Sequence, residues 1–171
     1  MAHTSLPSSL SRDAFVSRFG GVWEHSPWIA EGAFDAGLTP AHDRAEGLHA
    51  AMVTVMRAAT DAAKLALIRA HPDLAGKLAA AGRLTAESTG EQASAGLDRL
   101  TDAERAEFTR LNDAYKARFG FPFILAVKGR SKDEIRDAFV ARLENDLAAE
   151  REEALAQIER IALLRLRDLL P

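Results

Sequence analysis

The sequence predicts an all-α protein, a single-domain bundle of about eight helices. Helix-start signals and apolar residues at helical spacing recur along the chain, whereas the β-branched alternation typical of strands is almost absent. A chain of 171 residues, 47% of them hydrophobic, is large enough to form one hydrophobic core without stabilisation by disulfides or a structural metal ion. We therefore expect residues 1–171 to form one domain, with residues 1–10 as a flexible N-terminal extension.

Four short motifs carry helix-start signals. Ser26-Pro27 and Thr39-Pro40 each pair an N-cap residue with proline at the first helical position, where the missing N–H has no intrahelical partner to lose. The segments 101–104 (Thr-Asp-Ala-Glu) and 131–134 (Ser-Lys-Asp-Glu) read as capping boxes, in which hydroxyl and glutamate each accept from a free backbone N–H. We expect a helix to begin at each motif.

Apolar residues then recur at the spacing of a helix face. The stripes comprise Leu48, Met52, Val55 and Met56; Phe108, Leu111, Tyr115 and Phe119; and Ile135, Phe139 and Leu143. Glycine-containing breaks fall at 20–21, 82, 120–122 and 129–130, and each is too short to be a domain linker. The stripes are therefore expected to form the core of the bundle.

Composition and charge exclude several classes of partner. The 22 basic and 25 acidic residues leave a formal charge of −3 without a clustered Lys/Arg run, so we expect no nucleic-acid partner. No segment approaches the roughly 20 apolar residues that a membrane span needs. The chain has no cysteine, which rules out a thiol nucleophile and fits a reducing compartment. A soluble, cytoplasmic protein is the expectation.

The usual metal and nucleotide motifs are also absent from the sequence. None of the five histidines forms a His-Glu-x-x-His signature, and His42 and His49, although they are expected to share a helix face, lack an evident third ligand. No glycine-rich phosphate loop follows a strand, and no Gly-x-Ser-x-Gly elbow occurs. We expect no metal ion, no nucleotide and no serine-hydrolase chemistry.

One histidine stands at a break between two helices. Proline disfavours the α conformation in the residue before it, so the helix that contains Leu65 and Ile68 should end near Ala70. Pro72 would open the next helix, and His71 would project from the corner near a helix N-terminus that favours anionic ligands. A lone histidine at a helix junction is more often structural than functional, so the spacing alone does not assign it to catalysis.

The last predicted helix places an arginine among apolar residues. At about 100° per residue, Arg165 shares a stripe with Ala154, Ile158, Ile161, Ala162 and Leu169. A guanidinium keeps its charge when buried, so Arg165 must either pair internally with a carboxylate or line a pocket for an anionic ligand. The pattern leaves both alternatives open.

Two further sets of polar residues allow both a structural and a functional interpretation. Asn112 lies on the apolar face beside Leu111 and Tyr115, where its amide needs hydrogen-bond partners, and we interpret it as structural. Ser88, Glu91 and Gln92 form a polar cluster. Taken alone, this cluster is indistinguishable from the solvent-exposed face of an amphipathic helix.

Three blocks of sequence together resemble one family. They are 71–76 (His-Pro-Asp-Leu-Ala-Gly); 88–92 (Ser-Thr-Gly-Glu-Gln) with 95–97 (Ala-Gly-Leu); and Leu111-Asn112 through Tyr115 to 119–123 (Phe-Gly-Phe-Pro-Phe). The chain resembles the OHCU decarboxylases, named for 2-oxo-4-hydroxy-4-carboxy-5-ureidoimidazoline, an unstable intermediate between urate and allantoin. The resemblance runs from 24–28 (Glu-His-Ser-Pro-Trp), through 126–129 (Ala-Val-Lys-Gly), to 164–166 (Leu-Arg-Leu).

The resemblance implies an all-helical, cofactor-free decarboxylase that yields S-allantoin and forms a homodimer. It places the catalytic residues at His71 and Glu91, and the substrate-binding residues at Pro72, Ser88, Gln92, Arg165 and the backbone near Phe123, Ile124 and Leu125. Arg165 is preferred over the neighbouring Arg160 and Arg167 because only Arg165 lies on the apolar stripe.

The chemistry of that substrate fits these residues. A ring carbon–nitrogen double bond adjoins the carbon that bears the carboxylate, so the substrate supplies its own electron sink and needs no pyridoxal or metal. His71, with an unperturbed imidazole pKa near 6.5, is the expected general acid/base, and Glu91 is expected to orient the ring or ureido N–H groups. Arg165 is expected to bind rather than to do chemistry, because a salt bridge to the departing carboxylate would stabilise the ground state.

Two other functions remain compatible with the residues. One is a non-catalytic helical module whose Phe/Leu faces bind a partner protein, with His71 and Arg165 structural. The other is a different decarboxylating or ring-opening enzyme that acts on a related ureido compound. An interaction module has no evident reason to place this histidine, the Glu91-Gln92 pair and a core-facing arginine in the family's order.

Overall fold

The computed structural model describes residues 5–76 and 82–171. Over these ranges the chain forms α-helices and two short 3₁₀ helices, without a β-strand. The α-helices are α1 (Arg12–Phe19), α2 (Trp28–Asp35), α3 (Ala45–Ala58), α4 (Asp61–Ala70), α5 (Ala86–Ser94), α6 (Asp102–Phe119), α7 (Lys132–Arg142) and α8 (Leu147–Leu169). The prediction of an all-α fold with about eight helices is confirmed.

The chain divides into two compact units. The first comprises Met1–Ala70 and Glu159–Pro171, and the second comprises His71–Ile158. The expectation of one domain over residues 1–171 stays a prediction. None of the helices in the described ranges is long and apolar enough to cross a membrane.

The first unit is built around α3. Helix α2 packs against both α1 and α3, and Gly32 permits a close approach between α2 and α3. A Cβ atom at Gly32 would lie 2.7 Å from a methyl carbon of Val55, which is well inside van der Waals contact. The largest side chains buried in this unit are Phe15, Phe19, Trp23, Ile29, Leu48, Met52, Met56, Leu67 and Ile68.

The predicted flexible extension is described from residue 5 onwards, and Met1–Thr4 lie outside the described residues. Pro7–Ser9 form a 3₁₀ turn with Pro7 buried. Both the backbone N–H and the hydroxyl of Ser8 donate to the Asp43 carboxylate, at 2.8 Å each. The turn Pro7–Ser9 is therefore attached to the 3₁₀ turn Pro40–Asp43, because the Asp43 carboxylate accepts both hydrogen bonds from Ser8.

The second unit has an aromatic core between α6 and α7, which pack against each other. The Tyr115 ring lies at the centre, 5.3 Å from the ring of Phe123 and 6.0 Å from that of Phe139, both edge-to-face. Phe123 and Phe139 stack with their centroids 3.8 Å apart. Such ring pairs stabilise a core beyond the apolar area they bury.

The four predicted helix starts are present, two of them with altered detail. Thr101 and Ser131 form the expected capping boxes of α6 and α7. Thr39-Pro40 opens the 3₁₀ turn Pro40–Asp43 rather than an α-helix, with the side chain of His42 accepting from the Thr39 N–H. Helix α2 begins one residue after Pro27, because the Ser26 hydroxyl donates to the Glu24 carbonyl and does not cap the helix.

The predicted apolar stripes are largely buried. Val55 and Leu143 are only half-buried. Leu169, expected on the Arg165 stripe, is 41% exposed and is the last residue of α8. The interior of each stripe is therefore predicted correctly, and the error lies at a helix end.

Replacing Thr101 with alanine should lower the free energy of unfolding by about 1 kcal/mol, because the N–H of Glu104 loses its acceptor at the N-terminus of α6. Urea unfolding measures this loss. Thr54→Ala, an exposed change within α3, is the control and should leave stability unchanged or slightly raised, since alanine is the better helix former. Equal effects at both positions would contradict the capping role.

Candidate functional site

The predicted catalytic histidine lies in a non-helical loop of the second unit. Helix α4 ends at Ala70, as predicted, and His71 is 8% exposed. The prediction that Pro72 opens a helix is wrong, since residues 72–76 are non-helical. Ala75 has a left-handed φ of 51°. Side chains elsewhere in the second unit form hydrogen bonds with the backbone N–H and carbonyl groups of these residues. His71 therefore does not lie at the start of a helix that begins at Pro72. We call residues 71–76 the His71 loop.

Side chains from α5 and α6 hold the His71 loop. The Gln92 side-chain oxygen accepts from the Ala75 N–H at 2.9 Å, and its amide nitrogen donates to the Asp73 carbonyl at 3.3 Å. The Asn112 amide nitrogen donates to the Leu74 carbonyl at 2.8 Å. Three consecutive residues of the loop are thus bonded to two amide side chains, which replace the partners that a helix would have supplied.

The backbone of the same loop is sterically constrained. A left-handed φ at a non-glycine residue such as Ala75 costs about 1 kcal/mol and persists only where surrounding contacts enforce it. A Cβ atom at Gly76 would lie 2.5 Å from that of Asp73. Lys116 adds an ion pair to Asp73, with nitrogen and oxygen 2.7 Å apart. The loop that carries His71 therefore has one well-defined conformation.

The three polar residues of the second sequence block lie on α5. Ser88 and Gln92 are one turn apart on the same helix face and are both 5% exposed, whereas Glu91 is half-buried. This burial distinguishes the three residues from the polar residues of a solvent-exposed helix face. Gln92 brings α5 to the His71 loop, but both ends of its amide already bind loop backbone. Its observed contacts therefore fix the loop, a role that sequence reasoning missed.

The third block leads into a second non-helical segment. Residues 121–127 are all buried, although none of them is helical. Helix α6 links this segment to the His71 loop, because Asn112 binds the loop and Tyr115, one turn later, packs its ring on Phe123. The structure therefore connects the predicted residues Phe123, Ile124 and Leu125 to the His71 loop through one helix.

Side chains also satisfy backbone groups within the segment 121–127. Arg142 donates to the Ile124 carbonyl, and Gln157 accepts from the Ala126 N–H at 3.0 Å. Arg130 donates to the Ala126 carbonyl at 3.1 Å. Among residues 5–76 and 82–171, no hydrogen-bond partner is found for the N–H or the carbonyl of Leu125, a residue that is 5% exposed. Both groups of the buried Leu125 peptide units therefore lack an internal partner within the described part of the chain.

Arg142 belongs to a buried network in the second unit. It pairs with Glu150 through two nitrogens, the shorter contact being 2.8 Å, and Glu150 also accepts from Tyr115 and Asn145. Burial alone would raise the pKa of Glu150, but hydrogen bonds from Arg142, Tyr115 and Asn145 outweigh it and hold this pKa below its usual value. Burial, reinforced by the hydrogen bond to Glu150, raises the pKa of the Tyr115 phenol. The network therefore carries a carboxylate, a guanidinium and a neutral phenol.

Arg165 lies in the first unit and has an internal partner. Its Nη2 donates to the Glu24 carboxylate at 2.9 Å, and its Nη1 donates to the Val22 carbonyl at 3.2 Å. Arg165 is 6% exposed and Glu24 is 2% exposed. Of the two alternatives left open by the sequence, an internal ion pair is the one observed. A guanidinium has five N–H donors, so this pairing also orients the group for further contacts.

Glu24 belongs to the segment 24–28 that resembles the family, but the sequence alone indicated no role for it. It precedes His25, whose φ of 47° marks a tight turn, and Ser26 donates to the Glu24 carbonyl at 2.9 Å. The only sequence signal was its place in the segment 24–28, because pairing with a residue 141 positions away leaves no local pattern. The other predicted site residues, His71 to Leu125, belong to the second unit.

A cavity of about 320 Å³ lies beside α5 in the second unit. Its walls are formed by Gly82, Leu84, Thr89, Gln92, Ala93, Asp98 and Arg105. Gln92 is the one predicted site residue among them. Neither His71 nor the segment 121–127 is among these lining residues.

Comparison with known proteins places these features in a family. The family model described as OHCU decarboxylase matches residues 8–167. A 2-oxo-4-hydroxy-4-carboxy-5-ureidoimidazoline decarboxylase of Halalkalicoccus jeotgali is 40% identical over 158 residues, which cover 92% of this chain and 86% of that protein. The match therefore includes both non-helical segments and most of α8.

Two further comparisons involve longer chains. The uric acid degradation bifunctional protein PucL of Bacillus subtilis is 40% identical over 163 residues, 95% of this chain but only 32% of that protein. The chain thus spans about a third of this relative. A crystal structure of an (S)-allantoin synthase superposes with a TM-score of 0.74 at 31% identity, covering 96% of this chain and 52% of that one.

Replacing Asn112 with aspartate should disrupt the His71 loop. The change removes the N–H donor and sets an oxygen against the Leu74 carbonyl, so unfolding free energy should fall by about 2 kcal/mol. Chemical denaturation measures the loss. Asp113→Asn, the reverse exchange at the exposed neighbouring position, should change stability by less than about 0.5 kcal/mol. A wild-type stability for Asn112→Asp would contradict the proposed attachment.

The buried carboxylate makes stability depend on pH. Because the folded pKa of Glu150 is depressed, its contribution is complete above the unfolded value near 4.3 and is lost as pH falls through the folded pKa. Glu150→Gln should therefore be markedly less stable than wild type at pH 7, with the gap narrowing below pH 4. Urea titrations across this range provide the measurement.

The control for this pH series is Glu46→Gln, which removes an exposed partner of Arg167. Exposed ion pairs are screened by solvent, so its stability should follow wild type closely at every pH. A gap between wild type and Glu150→Gln that stayed constant or widened in acid would overturn the assignment of a charged Glu150.

Proposed function

Because the chain belongs to the OHCU decarboxylase family, we propose that it catalyses the cofactor-independent decarboxylation of 2-oxo-4-hydroxy-4-carboxy-5-ureidoimidazoline to S-allantoin in urate degradation. The observation that carries this conclusion is the family match over residues 8–167. It includes the His71 loop, which two amide side chains hold in a defined conformation. A positioned histidine and backbone groups without an internal partner are the kinds of group that such a reaction requires.

The electrons of the breaking carbon–carboxylate bond need an acceptor. In this substrate they move into a new carbon–carbon double bond, while the adjoining ring carbon–nitrogen double bond opens onto its nitrogen, which gains a proton from solvent. Carbon dioxide leaves, and the hydroxyl-bearing carbon gives up its hydroxyl proton and becomes part of an enolate. Protonation of the neighbouring ring carbon then gives the lactam carbonyl of allantoin. The protein has to orient the substrate and move one proton.

His71 is proposed to move that proton. Its imidazole accepts the hydroxyl proton as carbon dioxide leaves and returns a proton to one face of the ring carbon, which determines the product's configuration. Imidazole can both accept and donate a proton, which suits both steps. Pro72 restricts the backbone of His71, and the bonds from Gln92 and Asn112 keep the loop in place.

Binding groups are proposed on two other elements of the second unit. Glu91 accepts from ring or ureido N–H groups, assisted by Ser88 on the same face of α5. The segment around Phe123, Ile124 and Leu125 contributes backbone groups, of which the Leu125 N–H and carbonyl have no partner among the described residues. Gln92 serves mainly through the His71 loop, since its amide is engaged there.

Arg165 is proposed to bind an anionic or carbonyl oxygen of the substrate. Its pairing with Glu24 neutralises part of its charge, which weakens any ground-state salt bridge to the departing carboxylate. That is favourable, because only interactions stronger in the transition state than in the ground state accelerate the reaction. Glu24 would therefore both orient Arg165 and limit its hold on the substrate.

A homodimer and a cytoplasmic location are proposed with the same function. The first follows from the family resemblance. The second fits the absence of cysteine from the sequence.

Replacing His71 with asparagine should lower kcat by about a hundredfold or more, because the proton-transfer group is lost while a side chain of similar size remains. The substrate is generated by oxidising urate in the presence of the preceding hydrolase, and optically active allantoin is followed by circular dichroism. Wild type should give optically active product before slow racemisation. His71→Asn should give nearly racemic product at a rate close to spontaneous decay.

The matched control is His25→Asn. His25 is exposed and has a left-handed φ that asparagine also adopts readily, so this variant should keep wild-type kinetics. If folded His71→Asn retained most of the acceleration, the catalytic assignment would be wrong. If wild type itself neither accelerated the reaction nor biased the product, the decarboxylase proposal would fail and the helical interaction module would be favoured.

A further inference from the structure

Two side chains hold the peptide groups on either side of Leu125. Arg142 donates to the Ile124 carbonyl, and the Gln157 side-chain oxygen accepts from the Ala126 N–H at 3.0 Å. Arg142 is the last residue of α7, and Gln157 lies on α8. Both bonds thus connect the non-helical segment to a regular helix of the same unit.

Peptide planarity extends the effect of these bonds to Leu125. The Ile124 carbonyl and the Leu125 N–H belong to one planar trans group and point in opposite directions, as do the Leu125 carbonyl and the Ala126 N–H. Fixing the Ile124 carbonyl towards Arg142 therefore turns the Leu125 N–H away from Arg142. Fixing the Ala126 N–H towards Gln157 likewise turns the Leu125 carbonyl away from Gln157.

Each holding side chain is itself fixed by a second contact. Glu150, fully buried, binds the Arg142 guanidinium, which also lies 4.4 Å from the centre of the Phe123 ring. Glu153 accepts from the Gln157 amide nitrogen at 2.8 Å, which leaves the amide oxygen for Ala126. Both peptide groups are thus held by side chains whose own orientation is determined.

We propose that Arg142 and Gln157 are positioning residues that present the Leu125 N–H and carbonyl as a donor–acceptor pair for a cyclic amide or ureide. The inference rests on the proposed function, because it assumes that the substrate lies against the segment 123–125. An amide or ureide offers a carbonyl and an N–H side by side, which is the complement of the pair at Leu125. Neither Arg142 nor Gln157 touches the substrate in this scheme.

Gln157 provides the sharper test, because it is half-buried and its replacement leaves no charge in the core. Gln157→Leu removes the acceptor for the Ala126 N–H. The exchange variant, Gln157→Glu combined with Glu153→Gln, keeps an acceptor of the same length at position 157 and a donor for it at position 153. The Leu125 pair binds substrate and transition state alike, so Gln157→Leu should raise KM about tenfold with kcat within about threefold. The exchange variant should retain a KM within about threefold of wild type.

Arg142→Lys provides a second, independent test of the proposal. Lysine preserves the positive charge beside Glu150 but lacks the planar fork that reaches Glu150 and the Ile124 carbonyl together. We expect a similar rise in KM. The control is Met56→Ala, a fully buried core change in α3 of the first unit, which should lower stability without changing KM, since a smaller folded fraction reduces only the apparent kcat.

Allantoin binding offers a readout that does not require turnover. Calorimetric titration of wild type with (S)-allantoin should give a Kd that rises about tenfold in Gln157→Leu and stays near the wild-type value in the exchange variant. An unchanged KM and Kd in folded Gln157→Leu would overturn the proposal. Equal weakening in the leucine and exchange variants would overturn it too. Failure of wild type to accelerate decarboxylation would instead count against the proposed function, independently of this comparison.

Discussion

The candidate site depends on one constraint, that buried backbone N–H and carbonyl groups outside a helix must find other partners. Two segments, 71–76 and 121–127, are non-helical; half of the residues of the first and all residues of the second are buried. Polar side chains provide their hydrogen bonds. Gln92 and Asn112, both on helices, serve the first segment, and Arg142 and Gln157 on helices together with Arg130 from the turn before α7 serve the second. The site is therefore made of irregular backbone in a defined conformation, with His71 on one segment and free peptide groups on the other.

Rigid helices supply the precision that such a site requires. Helix α6 contributes to both segments, through Asn112 on one turn and Tyr115 on the next. The Arg142–Glu150 pair is fully desolvated, so it adds less to net stability than its Coulomb energy suggests, but removing one partner would be costly. Its retention in the core is understandable if it also directs the Ile124 carbonyl, in agreement with the positioning role proposed for Arg142.

Most residues of the candidate site could be predicted from the sequence. The loop conformation and the hydrogen bonds that hold it could not. The sequence blocks led to His71, Ser88, Glu91, Gln92 and Arg165, and four of these are buried as functional polar groups often are, with Glu91 half-buried. The interpretation of Pro72 as a helix start was wrong because proline is compatible with both a first helical turn and a loop. The partners that selected the loop, Gln92 and Asn112, lie 17 to 38 residues from the backbone atoms they bind.

The amino-acid sequence by itself determined the helices, because capping boxes, proline positions and apolar spacing act within a few residues of each other. It also determined that Arg165 would be buried, since the stripe around it is a local property of α8. Only the tertiary structure decided that Glu24 would pair with Arg165, that Gln92 would serve the His71 loop, and that Arg142 would hold Ile124. Such pairings join residues distant in the chain, and their hydrogen-bond geometry exists only after the helices have packed.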